Sequence, residues 1–154
     1  MKKLLSLFIA ILLIFTVFAG SVLADEYYII CNPKTSVNVR RSAKRASEKI
    51  GWLELGDMVE SDGETENGYM LCYLSNEYGE GWVYKGYLTN EKPTPCGEMI
   101  EVIANGRVAC RQYVNGKRQG WLKPGSDIKV YAYTSEWALT KNGFVKSEYL
   151  NLED

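Results

Sequence analysis

The chain contains no histidine. That absence excludes a Ser-His-Asp triad, a Cys-His nucleophile pair, His-ligated zinc and an imidazole switch near neutral pH. A charge excess of one sign is also missing, since 18 Lys and Arg face 19 Asp and Glu among 154 residues. A balanced charge gives no support to polyanion binding, which needs a clustered basic surface, so no nucleic-acid partner is expected. No Cys-x-x-Cys pair occurs, which argues against a four-thiolate metal site, and no cofactor motif is present. No window past the N-terminus carries a long apolar stripe with the 3.6-residue period of a helix. What remains is globular in composition and rich in Tyr and Gly, with 11 and 14 residues.

The first 24 residues read as a secretory signal peptide. Met1-Lys2-Lys3 supplies a positive start, Leu4 to Ala24 is uncharged, and Val22-Leu23-Ala24 precedes the charged Asp25-Glu26. The apolar stretch is long enough to span a bilayer, so an uncleaved anchor is the alternative, and only then is the membrane a partner. Cleavage after Ala24 leaves 130 residues with a net charge of −3, and the chain is expected to be exported.

The rest of the chain is one unit written twice. Val37-Asn38-Val39-Arg40 matches Val108-Ala109-Cys110-Arg111. Gly51-Trp52-Leu53-Glu54-Leu55-Gly56 matches Gly120-Trp121-Leu122-Lys123-Pro124-Gly125. Gly81-Trp82-Val83-Tyr84-Lys85-Gly86-Tyr87-Leu88 matches Gly143-Phe144-Val145-Lys146-Ser147-Glu148-Tyr149-Leu150. The blocks keep their order at offsets of 71, 69 and 62 residues. Each unit carries short alternating apolar segments, such as Met70-Leu71-Cys72-Tyr73-Leu74 and Ile128-Lys129-Val130-Tyr131, separated by turn pairs such as Asn67-Gly68 and Asn105-Gly106. The spacing predicts an all-β chain of two small barrels, 25–91 and 92–154, with a short stiff joint over 90–97.

These blocks resemble the bacterial SH3-like (SH3b) domain. The first copy carries its pattern as Val37-Asn38-Val39-Arg40, Ile50-Gly51-Trp52-Leu53, Gly56, Asn67-Gly68-Tyr69, Gly81-Trp82-Val83 and Tyr87-Leu88. The second copy diverges, with Cys110, Phe144 and Trp137 at positions where the pattern has Val, Trp and the Trp of Asn-Gly-Trp. The resemblance implies two SH3-like β-barrels in tandem and a secreted module that binds peptidoglycan or another wall component. Such domains often accompany a wall hydrolase, and no such domain is visible in this sequence. The expectation is therefore a non-catalytic binding module. The alternative is an extracellular interaction or spacer module whose partner is another exported protein. Acidic pairs such as Glu64 and Glu66, or Glu98 and Glu101, fit glycosidase chemistry only in principle, because nothing in the spacing selects a pair.

Cys31, Cys72, Cys96 and Cys110 are an even count in an exported chain. Bridges Cys31–Cys72 and Cys96–Cys110 would staple each small unit, the second across a hairpin turning near Asn105-Gly106. Buried free thiols are the alternative, since Cys72 and Cys110 sit at core-like strand positions.

The candidate core includes Val39, Leu53, Leu55, Val59, Leu71, Val83 and Ile128, with Trp82, Phe144, Tyr87 and Tyr149 as packing aromatics. Candidate binding residues are aromatic or basic. Trp52 and Trp121 take matched positions, which suits a covered face between the units, a platform for sugar rings or peptide, or core. Strand alternation places Tyr131 and Tyr133 opposite Ile128 and Val130, and with Trp137 they form a second aromatic set. Tyr69 and Tyr78 occupy the related region of the first copy. Arg41 and Arg45, in a basic loop, either face water or contact anionic wall groups.

Overall fold

A computed structural model of the chain describes residues 23–75 and 79–152. The expected signal segment therefore lies outside the described residues, except for Leu23 and Ala24. The chain is almost entirely β, as its alternation predicts, and folds into two antiparallel sheets.

The first sheet is built from β1 (Asp25–Ile29), β2 (Val37–Arg40), β3 (Lys49–Leu53), β4 (Met58–Ser61), β5 (Thr65–Glu66), β6 (Tyr69–Tyr73), β7 (Glu80–Tyr84) and β8 (Leu88–Thr89). The second contains β9 (Thr94–Pro95), β10 (Met99–Glu101), β11 (Val108–Arg111), β12 (Arg118–Leu122), β13 (Asp127–Tyr133), β14 (Trp137–Thr140) and β15 (Gly143–Lys146). A single 3-10 turn follows each last long strand, at Lys85–Tyr87 and at Ser147–Tyr149.

The strands run in the order β3-β2-β7-β6-β4-β1-β8 in the first sheet and β10-β13-β14-β15-β11-β12 in the second. Local registers correspond closely. Val39 pairs with Gly51 and Cys110 with Gly120, each followed by a bulge at the next residue. Arg40 then faces Trp82, and Arg111 faces Phe144. Both arginines turn back on their own loop: Arg40 Nη1 donates to the Ser47 carbonyl at 2.7 Å, and Arg111 Nη1 to the Gly116 carbonyl at 2.9 Å.

Turn chemistry explains one hairpin and removes another. Asn67 and Gly68 both have positive φ, which joins Glu66 to Tyr69 through the two-residue turn that matches strand twist. Asn105 and Gly106 have no positive φ. Their flanking strands pair elsewhere, β10 with β13 and β11 with β12 and β15. The hairpin expected to bring Cys96 beside Cys110 does not form. All four cysteines are free, with Cys31, Cys72 and Cys110 buried and Cys96 half-buried. The expected bridges thus give way to the alternative of thiols used as small core residues.

Each sheet wraps its own apolar core. One is built on Ile29, Val39, Val59, Cys72 and Val83, the other on Val102, Cys110, Val130, Ala138 and Val145. Burial pushes the Cys31 thiol up to about 11, with the Asp57 and Glu54 carboxylates adding, and the Cys72 thiol up to about 12. Of the predicted core, Val39, Leu53, Val59, Val83, Ile128 and Phe144 are buried. Leu55, Leu71, Trp82 and Tyr87 are half-buried, and Tyr149 is exposed.

A third core lies between the sheets. Ile30 packs with Ala132, Trp137 and Phe144, while Leu55, Tyr87, Val114 and Leu139 close its margin. Successive side chains on a strand point to opposite faces, so Ile29 enters the first core and Ile30 the shared one. Both faces of β14 and β15 are covered for the same reason: Ala138 and Val145 face their own core, Trp137 and Phe144 the neighbouring sheet. The residues expected to form the joint are held too. Thr94-Pro95 pairs with β13, and the Glu91 carboxylate accepts from the Ser135 main-chain N–H at 3.0 Å and from its hydroxyl.

Candidate functional site

Two grooves lie at matched places on the two sheets. In the first, of about 670 Å³, Asn38, Arg40, Tyr69, Tyr84 and Tyr87 line the walls. The second, of about 940 Å³, is lined at the corresponding positions by Ala109, Arg111, Trp137, Lys146 and Tyr149. Each groove runs between the bulged strand β2 or β11 and the 3-10 turn that follows β7 or β15. The duplicated pattern places the same walls twice, and the substitutions between copies make the two sites chemically different.

The second groove is open. Trp121 stands on its edge, 49% exposed, opposite Ala109 in the β11–β12 ladder. The Arg118 guanidinium sits 4.5 Å from the Trp121 ring centroid, a cation–π contact that holds the indole upright. Arg107 and Lys146 add positive charge, Glu148 one negative charge, and Tyr149 a second exposed ring. The floor is Trp137, 2% exposed, with Lys146 Nζ 4.3 Å from its ring centroid and paired with Glu136. The Trp137 Nε1 is buried and meets no hydrogen-bond acceptor among the described residues. An exposed indole such as Trp121 offers a flat face on which a ring can stack, and Arg107 and Lys146 carry charges that can meet carboxylates.

The first groove takes one of its walls from the other sheet, the Tyr113 turn. Tyr113, on the loop between β11 and β12, packs against both Tyr84 and Tyr87, which also meet each other edge-on at 6.3 Å. Its ring centroid lies 4.7 Å and 5.3 Å from theirs, both edge-on. Tyr69 stacks on the far side of Tyr84 at 5.2 Å. Such edge-to-face arrangements contribute about 0.5–1.5 kcal/mol per pair beyond area burial. Burial first, and Tyr113 second, push the Tyr87 phenol up to about 12.

The structure sorts the sequence candidates. Trp52 and Trp121 are exposed, at 57% and 49%, so neither a covered face between units nor core describes them. Trp52 lies away from both grooves, beside Leu53, Met58 and Leu74, with Lys49 Nζ 5.7 Å from its ring. Trp137 is a correction: it belongs to the shared core, because the first sheet covers the face that alternation left outward. Tyr69 is corrected likewise, to a buried strand residue of β6. Tyr131 and Tyr133 are both half-buried, and Tyr133 is a correction: the bulge between Val130 and Ala132 reverses the alternation, so Tyr133 packs against the core of Ile128 and Val130. Arg41 is exposed and tied to Glu48 at 2.6 Å, which lowers the Glu48 carboxyl and raises the guanidinium. Arg45 is exposed on the rim of the first groove. Tyr78 lies outside the described residues. Tyr113, Gly86, Arg107 and Glu148 were not singled out by sequence. The available signal was the change from Gly86 to Glu148 between otherwise aligned blocks.

Among the described residues, no group of three or more Cys, Asp or Glu side chains is placed to hold a metal ion, and no helix is long and apolar enough to cross a membrane. No protein-family model matches the chain, and no curated protein does. Two solved structures from Trichomonas vaginalis are similar in part. NlpC2 has 14% identity and a TM-score of 0.37 over 87% of this chain and 50% of its own. NlpC1 has 15% identity and a TM-score of 0.37 over 88% and 48%. The chain thus spans about half the length of these two proteins.

Proposed function

We propose that this chain is a secreted, non-catalytic binding module that associates with the bacterial cell wall through the groove of its second sheet. The observation that carries the reading is the open groove edged by Trp121 and Tyr149 and charged by Arg107 and Lys146. An aromatic face beside cations suits a ligand that joins sugar rings to peptide carboxylates, as peptidoglycan does. The export signal read in the sequence and the SH3-like resemblance of the blocks point the same way.

Cosedimentation with purified sacculi tests it. The mature chain pellets with sacculi, and Trp121→Ala moves at least tenfold more protein to the supernatant while leaving the fold intact by circular dichroism. A wild-type chain that stays soluble at both low and high salt overturns the reading. So does release of soluble muropeptides, which would make the chain an enzyme.

A second reading, an interaction or spacer module for another exported protein, is favoured by one observation. The first groove already holds a protein segment, the Tyr113 turn. Copurification of a single dominant protein from the secreted fraction, without sacculus binding, supports it.

A further inference from the structure

The Tyr113 turn is seated by more than ring packing. Gly116 N donates to the Tyr113 carbonyl at 2.8 Å and Gln112 N to the Lys117 carbonyl at 3.0 Å, so residues 112–117 form a tight turn. The turn projects Tyr113 away from its own core and into the first groove. The next residue adds a main-chain contact, with Val114 N donating to the Gly86 carbonyl at 3.2 Å. Gly86 makes the approach possible: a Cβ there would lie 2.5 Å from Tyr113 Cβ and 2.8 Å from Tyr84 Cε1. Real Cβ contacts are never that short, so any side chain at 86 displaces the ring.

Two further observations separate this seat from ordinary packing. With the ring seated, about 670 Å³ of open groove remains beside it, lined by Tyr113 itself and by Asn38, Lys44, Arg45 and Asn67. The matched groove on the second sheet keeps its shape with no such occupant, and Glu148 stands there in place of Gly86. A seated ring is therefore not required for a groove of this architecture.

We infer that the first groove is a recognition site for a peptide turn that presents an aromatic ring followed by a free main-chain N–H, and that Tyr113-Val114 is its ligand held in cis. The ring packs against the Tyr84–Tyr87 pair, and the N–H meets the Gly86 carbonyl. Tethering keeps the ring seated, because an attached ligand acts at a millimolar or higher effective concentration. An aromatic ring on a peptide turn from another protein takes the seat once the Tyr113 ring is removed. The inference is independent of the wall-binding reading and survives a negative result with sacculi.

The test uses a fluorescent cyclic hexapeptide, Gln-Tyr-Val-Asn-Gly-Lys, with its Tyr-to-Ala counterpart as control. By fluorescence anisotropy, the full-chain Tyr113→Ala variant binds the Tyr peptide saturably, at least tenfold more tightly than wild type does, and ignores the Ala peptide. Gly86→Ala, which closes the seat, binds neither. In the wild-type chain, millimolar Tyr peptide displaces the turn and shifts the Gly86 and Val114 amide resonances, a readout that stands even if Tyr113→Ala does not fold. Equal binding to wild type and Tyr113→Ala, binding to Gly86→Ala, or unmoved Gly86 and Val114 resonances would overturn the inference.

Discussion

The two grooves start from the same pattern and end in opposite states. Both are walled by a bulged strand whose arginine clamps its own loop, and both end on a 3-10 turn. In the first, Tyr84 and the bare Gly86 accept a ring from the other sheet. In the second, Lys146 and Glu148 stand at those positions and the groove stays open. The walls also differ where Ala109 replaces Asn38 and Trp137 replaces Tyr69, so a common frame carries two different surfaces. A related asymmetry appears two residues earlier on the same strands, where Trp82 is half-buried and its counterpart Phe144 is fully enclosed by the shared core.

The sharpest way to break the comparison is to truncate both aromatics. Phe144→Ala removes a buried ring from between the sheets and is expected to cost about 3–5 kcal/mol, the range for enclosed Phe. Trp82→Ala, at a half-buried position, costs clearly less. Urea denaturation of the two variants measures the gap, and equal losses would mean that the sheets are not energetically joined through Phe144.

Exchanging the residues that distinguish the grooves has the next largest effect. Gly86→Glu forces Tyr113 from its seat and is expected to destabilise by about 1–3 kcal/mol, the usual cost of overpacking. Glu148→Gly faces open solvent and changes stability by less than about 0.5 kcal/mol. Thermal melts of both variants decide the point, and a Gly86→Glu chain as stable as wild type would remove the Tyr113 seat from the account.

A finer distinction comes from alkaline titration. Cys31, Cys72 and Tyr87 lie in the first half, with their acid groups raised to about 11, 12 and 12 from ordinary values of 9.0, 9.0 and 10.0. The fold favours their protonated forms. Their contribution is therefore fully present below about pH 9 and is lost as pH climbs through 11 to 12. The loss is at most about 1.4 kcal/mol per pH unit for each group. In the second half, only the Cys110 thiol is raised, also by burial. Amide resonances of the first sheet are expected to broaden at lower pH than those of the second, and the reverse order would contradict these assignments.

The strands were legible because period-two alternation is a local property. Ile128 and Val130 enter one core as their parity demands, until the bulge after Val130 turns Ala132 into the shared core. Parity says which side chains share a face and is silent about what covers it. For that reason Trp137 and Tyr69 read as surface candidates and proved buried, while the bulge turned Tyr133 onto the core. The cysteine pairing failed on a related point. Asn105-Gly106 has the composition of a hairpin turn, but long-range pairing of β10 with β13 overrides it. The matched position of Trp52 and Trp121 left a covered face, an exposed platform and core all open, and only their exposure decides among these. Tyr113 was not legible, since its partners belong to the other sheet.

The Glu148 side chain also limits what the second groove can take. In the first groove a bare glycine lets the turn of the other sheet dock, since a Cβ at position 86 would lie 2.5 Å from Tyr113 Cβ. A longer side chain at the matched position leaves no such room, so the second groove is closed to a main-chain approach of that kind while its exposed rings stay available.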